Sequence, residues 1–240
     1  MADTLSRMLH SIVGQSYENW KLIITDDVSD PDQYEALKET VSKFRTLMGS
    51  STKIETFFND TKRWEVENVL RAIKECDDDD IICRIDCDDW LTDADALSII
   101  DHAYKSYAVV DAMWTKHRWG FSDRNISNDM SQGADPYVHP WVSSHLKTFR
   151  KKLLNGIPVE NFKNQAGQFV RRAGDQAIYL PALKRANMWC FIPRVMYHYS
   201  IDERGGEVYT TDDAKFQRGE AEFLRERGYV NEGEPWEKFV

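Results

Sequence analysis

The residues of this chain best suited to chemistry are the carboxylates of Arg84-Ile85-Asp86-Cys87-Asp88-Asp89-Trp90-Leu91, which follow the apolar run Ile81-Ile82-Cys83. A short β-type run ending in Asp-x-Asp puts two carboxylates at a strand's carboxyl edge, where open α/β sheets bind ligands. Residues i and i+2 of an extended chain point to one side, so Asp86 and Asp88 are expected to share one hard divalent cation. The competing reading is a solvated acidic turn. A second acidic pair, Asp26-Asp27, closes the run Trp20-Lys21-Leu22-Ile23-Ile24-Thr25 and could accept from a base N–H or a ribose hydroxyl. Its alternative is an Asx-capped turn, the reading preferred for Asp30 and Asp32.

Asp175 follows Gly174 and opens an apolar-periodic run, Gln176 to Ala186, so it is either a general base or an N-cap. In the segment from His139 to Lys152, Trp141, His145 and Arg150 are candidate contacts to a bound ligand, with the Trp141 ring offering a stacking surface. The same segment also reads as a helix, with Leu146, Phe149 and Leu153 inward and Lys151 and Lys152 in solvent. His198, between Tyr197 and Tyr199, is either a metal or phosphate contact or a packed strand residue. Arg171 and Arg172 could steer an anionic ligand toward Asp175.

These groups need a scaffold, and the pattern of apolar residues supplies one. Helical spacing marks Leu5 to Val13, Pro31 to Met48, Trp64 to Cys76 and a helix capped by Asp93 that runs to Tyr104. Between them lie strand-like runs at Trp20–Thr25, Lys53–Phe58, Ile81–Ile85 and Ala108–Trp114. The alternation predicts an α/β fold with a doubly wound, mostly parallel sheet flanked by helices. After about residue 115 the order changes: a turn-rich loop from Gly120 to Pro136, expected to be mobile, then helices over Val142–Leu154 and Asp175–Ala186. Short apolar runs follow at Cys190–Ile192 and Val195–Tyr197, and a polar tail carries one helix, about Thr211 to Arg227.

Composition narrows the function. With 42% hydrophobic and 30% charged residues the chain is an ordinary globular one, and 240 residues can enclose a substantial core. A net charge of −9 argues against nucleic acid as the main partner, though a local basic groove is not excluded. No run is long enough to cross a bilayer, and the start has no signal-peptide organisation. Cys76, Cys83, Cys87 and Cys190 lack zinc-type spacing and read as reduced thiols, so a cytoplasmic location is expected.

Taken together, Ser11-Ile12-Val13-Gly14-Gln15-Ser16-Tyr17-Glu18-Asn19-Trp20 and Leu22-Ile23-Ile24-Thr25-Asp26-Asp27-Val28-Ser29-Asp30 resemble the opening of family 2 glycosyltransferases of the GT-A fold. The spacing to Asp86-Cys87-Asp88-Asp89-Trp90-Leu91 and to Ala173-Gly174-Asp175-Gln176 fits as well, over about residues 3 to 200. The resemblance implies a transferase that moves a sugar, with inversion, from a nucleotide diphosphate sugar such as a UDP-sugar to a saccharide or other hydroxyl acceptor. It implies that Asp27, with Asp26, holds the nucleoside, that Asp86 lies near the ribose, and that Asp88 binds Mn²⁺ or Mg²⁺ bridging the diphosphate. Asp175 then becomes the base. On this view residues 1–115 are the nucleotide-sugar-binding half, 116–200 the acceptor-side and catalytic half of the same domain, and 201–240 a C-terminal extension. Two other readings keep the acidic residues: an inactive relative that binds nucleotide sugar or glycan or serves as a scaffold, and a nucleotidyltransferase or phosphatase.

One departure from that family carries its own expectation. Members begin with an apolar strand central to the sheet, whereas Met1-Ala2-Asp3 leads directly into the helix that should follow it. Its neighbours would then carry unpaired backbone groups. A truncated start is the favoured explanation, and a gap in the sheet, or a partner segment that completes it, is expected.

Overall fold

Leu5, Met8, Leu9 and Ile12 recur three and four residues apart and form one buried stripe along α1 (Ala2–Val13). The computed structural model describes residues 2–49, 53–200 and 212–240. After α1 come β1 (Leu22–Asp26), α2 (Pro31–Leu47), β2 (Ile54–Phe58), α3 (Trp64–Lys74), β3 (Ile81–Arg84), β4 (Trp90–Leu91) and α4 (Ala96–Ser106). The second half holds β5 (Ala112–Trp119), β6 (Lys147–Arg150), α5 (Gly174–Arg185), β7 (Trp189–Tyr199) and α6 (Asp212–Arg227).

The strands sort their side chains onto two cores. On β5, Ala112 and Trp114 face a cluster built with α3, α5 and α6, while Met113 faces one built with α1, α2 and α4. That alternation is the period of two that a strand imposes, and it makes the molecule a helix–sheet–helix sandwich. β5 pairs parallel with β7, and β1 with β2, whereas β6 pairs antiparallel with both β3 and β5 and β4 pairs antiparallel with β7. The amino end of β1, at Lys21, lies near Glu75 and Cys76 ahead of β3, and its carboxyl end, at Asp26, lies near Cys87 beyond it. β1, β2, β3, β5 and β7 therefore run one way and only β4 and β6 oppose them. The mostly parallel α/β expectation holds.

The sheet is nevertheless in two pieces, β1-β2 and β3-β6-β5-β7-β4. Between β1 and β3 lies a cavity of about 840 Å³ that runs along Leu22–Thr25 on one side and Ile81–Cys87 on the other. The expected gap is present.

Several expectations need correction. Residues 142–154 are not a helix: they form an extended approach, β6, and a 3-10 turn at Lys151–Leu154. Leu146, Phe149 and Leu153 fit a helical stripe, but Leu146 and Phe149 enter opposite cores from opposite strand faces, and pairing with β3 and β5 overrides the pattern. The strand expected at Ala108–Trp114 begins at Ala112 and runs to Trp119, and the two short runs after Cys190 are one strand, β7. The Gly120–Pro136 loop is anchored: Met130 is buried, and the indole N–H groups of Trp114 and Trp189 donate to the carbonyls of Asn128 and Met130. Residues 201–211, which open the expected extension, lie outside the described residues. Beyond them Leu224 and Trp236 belong to the core, and Trp236 Nε1 donates to the Leu154 carbonyl at 2.7 Å.

Candidate functional site

β3 stops at Arg84, and Asp86 to Asp89 form a turn closed by the Asp89 N–H on the Asp86 carbonyl at 3.1 Å. Asp86 and Asp88 are thus not alternate residues of a strand, and the same-side argument for their pairing does not apply. The pull comes from Asp89, which is fully buried and accepts from the Tyr197 hydroxyl at 2.7 Å and the Ser200 N–H at 2.8 Å. Burial and the neighbouring Asp86 push its carboxyl up to about 7, against the hydrogen bonds from Ser200 and Tyr197. Asp88 is half-buried at the turn, and its carbonyl accepts from Ser200 Oγ at 2.6 Å.

Asp175 sits in the first turn of α5 and meets two cations, from β3 and β6, and the His145 ring. Arg84 Nη1 is 2.9 Å from Oδ1, Lys147 Nζ is 2.8 Å from the same oxygen, and His145 Nε2 is 3.7 Å from Oδ2. Burial works to raise this carboxyl, but Lys147, Arg84 and His145 hold it far below the carboxylate range. It is ionised at every ordinary pH. Arg84 also binds Asp86 at 2.9 Å and Glu65 of α3, so one guanidinium gathers three carboxylates. With Lys147, two cations face three acids, and the surplus falls on Glu65, which burial raises to about 7 in spite of Arg84. For Asp86 burial is outweighed by Arg84, and its pKa is lowered.

Glu65 reaches this place because residue 174 is glycine. A Cβ there would stand 2.2 Å from the Glu65 carboxyl carbon. His145 lies flat on Tyr197 and Tyr199, with ring centroids 4.6 and 5.1 Å apart. Lys147 Nζ is 3.2 Å from His145 Nδ1, which can only accept from an ammonium, so the neutral ring carries its proton on Nε2, toward Asp175. Burial and Lys147 push the imidazole down to about 3.

The first acidic pair is held by backbone. Asp27 Oδ1 accepts from Asn59 Nδ2 at 2.9 Å and the Arg63 N–H at 2.8 Å, and Oδ2 from the Trp64 N–H at 2.9 Å. It caps the amino end of α3 from another element, and with a further hydrogen bond from the Asn68 side chain the roughly four acceptor positions of its carboxylate are taken. Burial would raise its pKa, but these hydrogen bonds lower it. Val28 and Trp64, both with left-handed backbone (φ 64° and 66°), flank the cage. Asp26 is buried and accepts from the Ser29 N–H at 3.3 Å.

Other expected contacts are dispersed. Arg150 lies at the far end of β6, bound to the carbonyls of Val110 and Tyr104 and near Asp111. Trp141 packs edge-on to Tyr179 beside the core, and His198 stacks on Trp90 at 3.7 Å. Arg171 and Arg172 present their side chains to the Trp64 ring, while their N–H groups bind Glu220 of α6. Reading residue types alone gave no role to Glu65, Arg84, Lys147 or Tyr197. Arg84 carried a signal, standing two residues before Asp86, and so did Lys147, standing two residues after His145. Nothing local marks Glu65.

A divalent cation shared with substrate phosphates needs only one or two protein carboxylates. At the turn Asp86–Asp89 the Asp86 carboxylate is engaged by Arg84. Among the described residues no three His, Cys, Asp or Glu side chains converge as a preformed metal cluster, and no described helix is long and apolar enough to cross a membrane.

The family model described as Glycosyl transferase family 2 matches residues 2–172. The chain belongs to glycosyl transferase family 2. The match takes in both acidic edges, at Asp26-Asp27 and Asp86–Asp89, and ends just short of Asp175. No curated protein matches the family 2 chain by sequence. In fold it is similar to S. aureus TarS, with a TM-score of 0.60 at 15% identity over 92% of this chain and 40% of the other. A shorter TarS chain in complex with UDP-GlcNAc gives 0.58 at 16% identity, over 92% and 67%. The mannosyltransferase PcManGT from Pyrobaculum calidifontis, in complex with GDP-Man and Mn²⁺, gives 0.57 at 15%, over 87% and 56%. The chain thus spans less than half of the longer TarS chain, and these likenesses establish the GT-A fold.

Proposed function

We propose that this site transfers a sugar from a nucleoside diphosphate sugar, with UDP-sugar the first choice, to an acceptor hydroxyl with inversion at the anomeric carbon. The observation that carries the reading is Arg84, which ties Asp86 of the acidic turn to Asp175 of α5 and so joins the two halves of the site. In the transfer the acceptor oxygen bonds to the anomeric carbon as the bond to the diphosphate breaks, and the acceptor proton passes to Asp175. Asp26 and Asp27 hold the nucleoside edge. Asp88 would hold Mn²⁺ or Mg²⁺, whose charge offsets that of the departing diphosphate.

Asp175 clamped between two cations is a weak base. A bound diphosphate competes for Arg84 and Lys147, and as they turn to it the carboxylate regains proton affinity. Donor binding therefore readies the base. The experiment is transfer and donor hydrolysis with UDP-GlcNAc, UDP-glucose and GDP-mannose plus Mn²⁺, for wild type and Asp88→Ala. Release of intact nucleoside diphosphate by wild type, lost in the variant, supports the reading; cleavage between the phosphates would replace it with nucleotidyl or phosphatase chemistry.

The cavity beside Asp86 and Cys87 favours one alternative, a relative that binds a nucleotide sugar or glycan without turnover. UDP binding with no turnover at any donor would select it.

A further inference from the structure

The main chain that leads into Asp175 is held by a helix distant in sequence. Ala173, which opens α5, makes no side-chain cap. The carboxylate of Glu220, from α6, grips the residues that end at Ala173 instead. It accepts the Arg171 N–H at 3.1 Å on each oxygen, the Arg172 N–H at 2.8 Å and the Ala173 N–H at 3.4 Å. Three successive N–H groups around one anion make a concave nest, and the helix dipole favours negative charge at the amino end of α5. Asn164 Nδ2 donates to the same carboxylate at 3.0 Å. Glu220 is 5% exposed, and the two arginines whose N–H groups it binds send their guanidinium groups elsewhere, to Gln168 and Asp213.

That grip reaches Asp175 through the start of α5. The Ala173 carbonyl accepts from the N–H groups of Gln176 and Ala177 at 3.1 and 3.0 Å, so fixing Ala173 fixes the first turn of the helix. The same turn meets the Glu65 carboxyl at Gly174. α6 is itself a firm support. Leu224 is buried in the core, and Arg227 donates to the carbonyls of Glu160, Asn161 and Lys163 at 2.6, 3.0 and 2.7 Å. Placement matters here because Asp175 faces Lys147 and Arg84 at 2.8 and 2.9 Å. A reacting group displaced by about 1 Å loses on the order of 10²-fold in rate.

We infer that Glu220 is a positioning residue for the transfer: it holds the main chain of Arg171 to Ala173 and so sets where Asp175 stands against Lys147 and Arg84. The inference rests on the reading of Asp175 as the base. It gives a part in the reaction to α6, which lies beyond the stretch that the family model matches. Glutamine at position 220 keeps one accepting oxygen and turns an amide N–H toward the nest, so it should hold the stretch only in part.

The test compares Glu220→Ala and Glu220→Gln with Leu224→Ala, which truncates a core residue of the same helix. Each folded protein is assayed with the donor that wild type turns over best. Glu220→Ala is expected to lower kcat by about 10–100-fold while leaving the donor KM and UDP affinity within about threefold. Hydrogen exchange at the amides of residues 171–173 should quicken by at least about tenfold, with Glu220→Gln between Glu220→Ala and wild type in both readouts. Leu224→Ala should lower Tm at least as far and keep kcat within about threefold of wild type. Should Glu220→Ala not fold, Glu220→Gln decides alone: a kcat about fivefold lower supports the inference, and an unchanged one overturns it. An unchanged kcat in Glu220→Ala, an equal loss in Leu224→Ala, or a parallel loss of UDP affinity would overturn the inference and leave the base reading standing. Wild type inert with every donor would instead remove that reading, and this inference with it.

Discussion

The two acidic edges of the site are built by different means. At the β1 edge Asp27 is fixed by the main-chain N–H groups of Arg63 and Trp64 and by the side-chain amides of Asn59 and Asn68. At the β3 edge Asp86 and Asp175 are fixed by side-chain cations that arrive from β3 and β6, with Glu65 crossing from α3 to the same guanidinium. The first arrangement neutralises no charge and is rigid, which suits a neutral partner such as a base edge. The second shares two side-chain cations among three acids, and a ligand that brings its own anions can compete for those cations.

The largest expected effect lies on the second edge. Asp175→Asn should lower transfer by roughly 10²–10⁴-fold while leaving UDP affinity within a few-fold, read by single-turnover product formation and by calorimetry. Equal losses in both would make Asp175 a binding residue and erase the contrast between the edges. Asp27→Ala should do the reverse, weakening UDP binding and destabilising the fold by about 2 kcal/mol, since it strands the N–H groups of Arg63 and Trp64. Chemical denaturation checks the second part, and an unchanged midpoint would show that the cage is replaceable by water.

A smaller effect tests the close approach at α5. Gly174→Ala evicts the Glu65 carboxyl. That side chain can withdraw, so the cost is its contact with Arg84, about 1–2 kcal/mol. In a Glu65→Ala background the same substitution should be nearly neutral, a coupling that a double-mutant cycle measures. The smallest effect is in pH. Glu65 and Asp89, both raised to about 7, are protonated in the folded protein at pH values where the unfolded chain has lost those protons. Their contribution is complete below the unfolded values near 4 and is lost as pH rises to about 7, so they make Tm fall between about pH 4 and pH 7 and level off above it. Asp27, Asp86 and Asp175, lowered in the fold, act oppositely and only under acid conditions. Glu65→Gln should remove about half of that fall, leaving the share due to Asp89.

Much of the scaffold was legible in advance. The apolar periodicity of the first hundred residues matches α1 to α4 and β1 to β3 within a few residues, because there each element follows its own local pattern. The prediction failed at residues 142–154, where a strand is made by its partners on either side, and at Asp86–Asp89, where a buried tyrosine and a backbone N–H pull Asp89 inward and bend the chain. Arg150 looked like Lys147 as a basic residue near His145, yet three residues along β6 place it at the other end of the strand among the carbonyls of Tyr104 and Val110.

The order of residues by itself determined the family, the fold class, the two acidic edges and the position of Asp175, since these depend on side-chain types at short spacing along elements that form locally. Only the tertiary structure decided what those acids touch. Arg84 as the common partner of Glu65, Asp86 and Asp175, Glu65 in the space left by Gly174, and Lys147 beside His145 all join residues distant in the chain, and such contacts leave no periodic trace. The open position between β1 and β3 belongs to the same class, because a sheet's pairing is a property of neighbouring strands and not of any one of them.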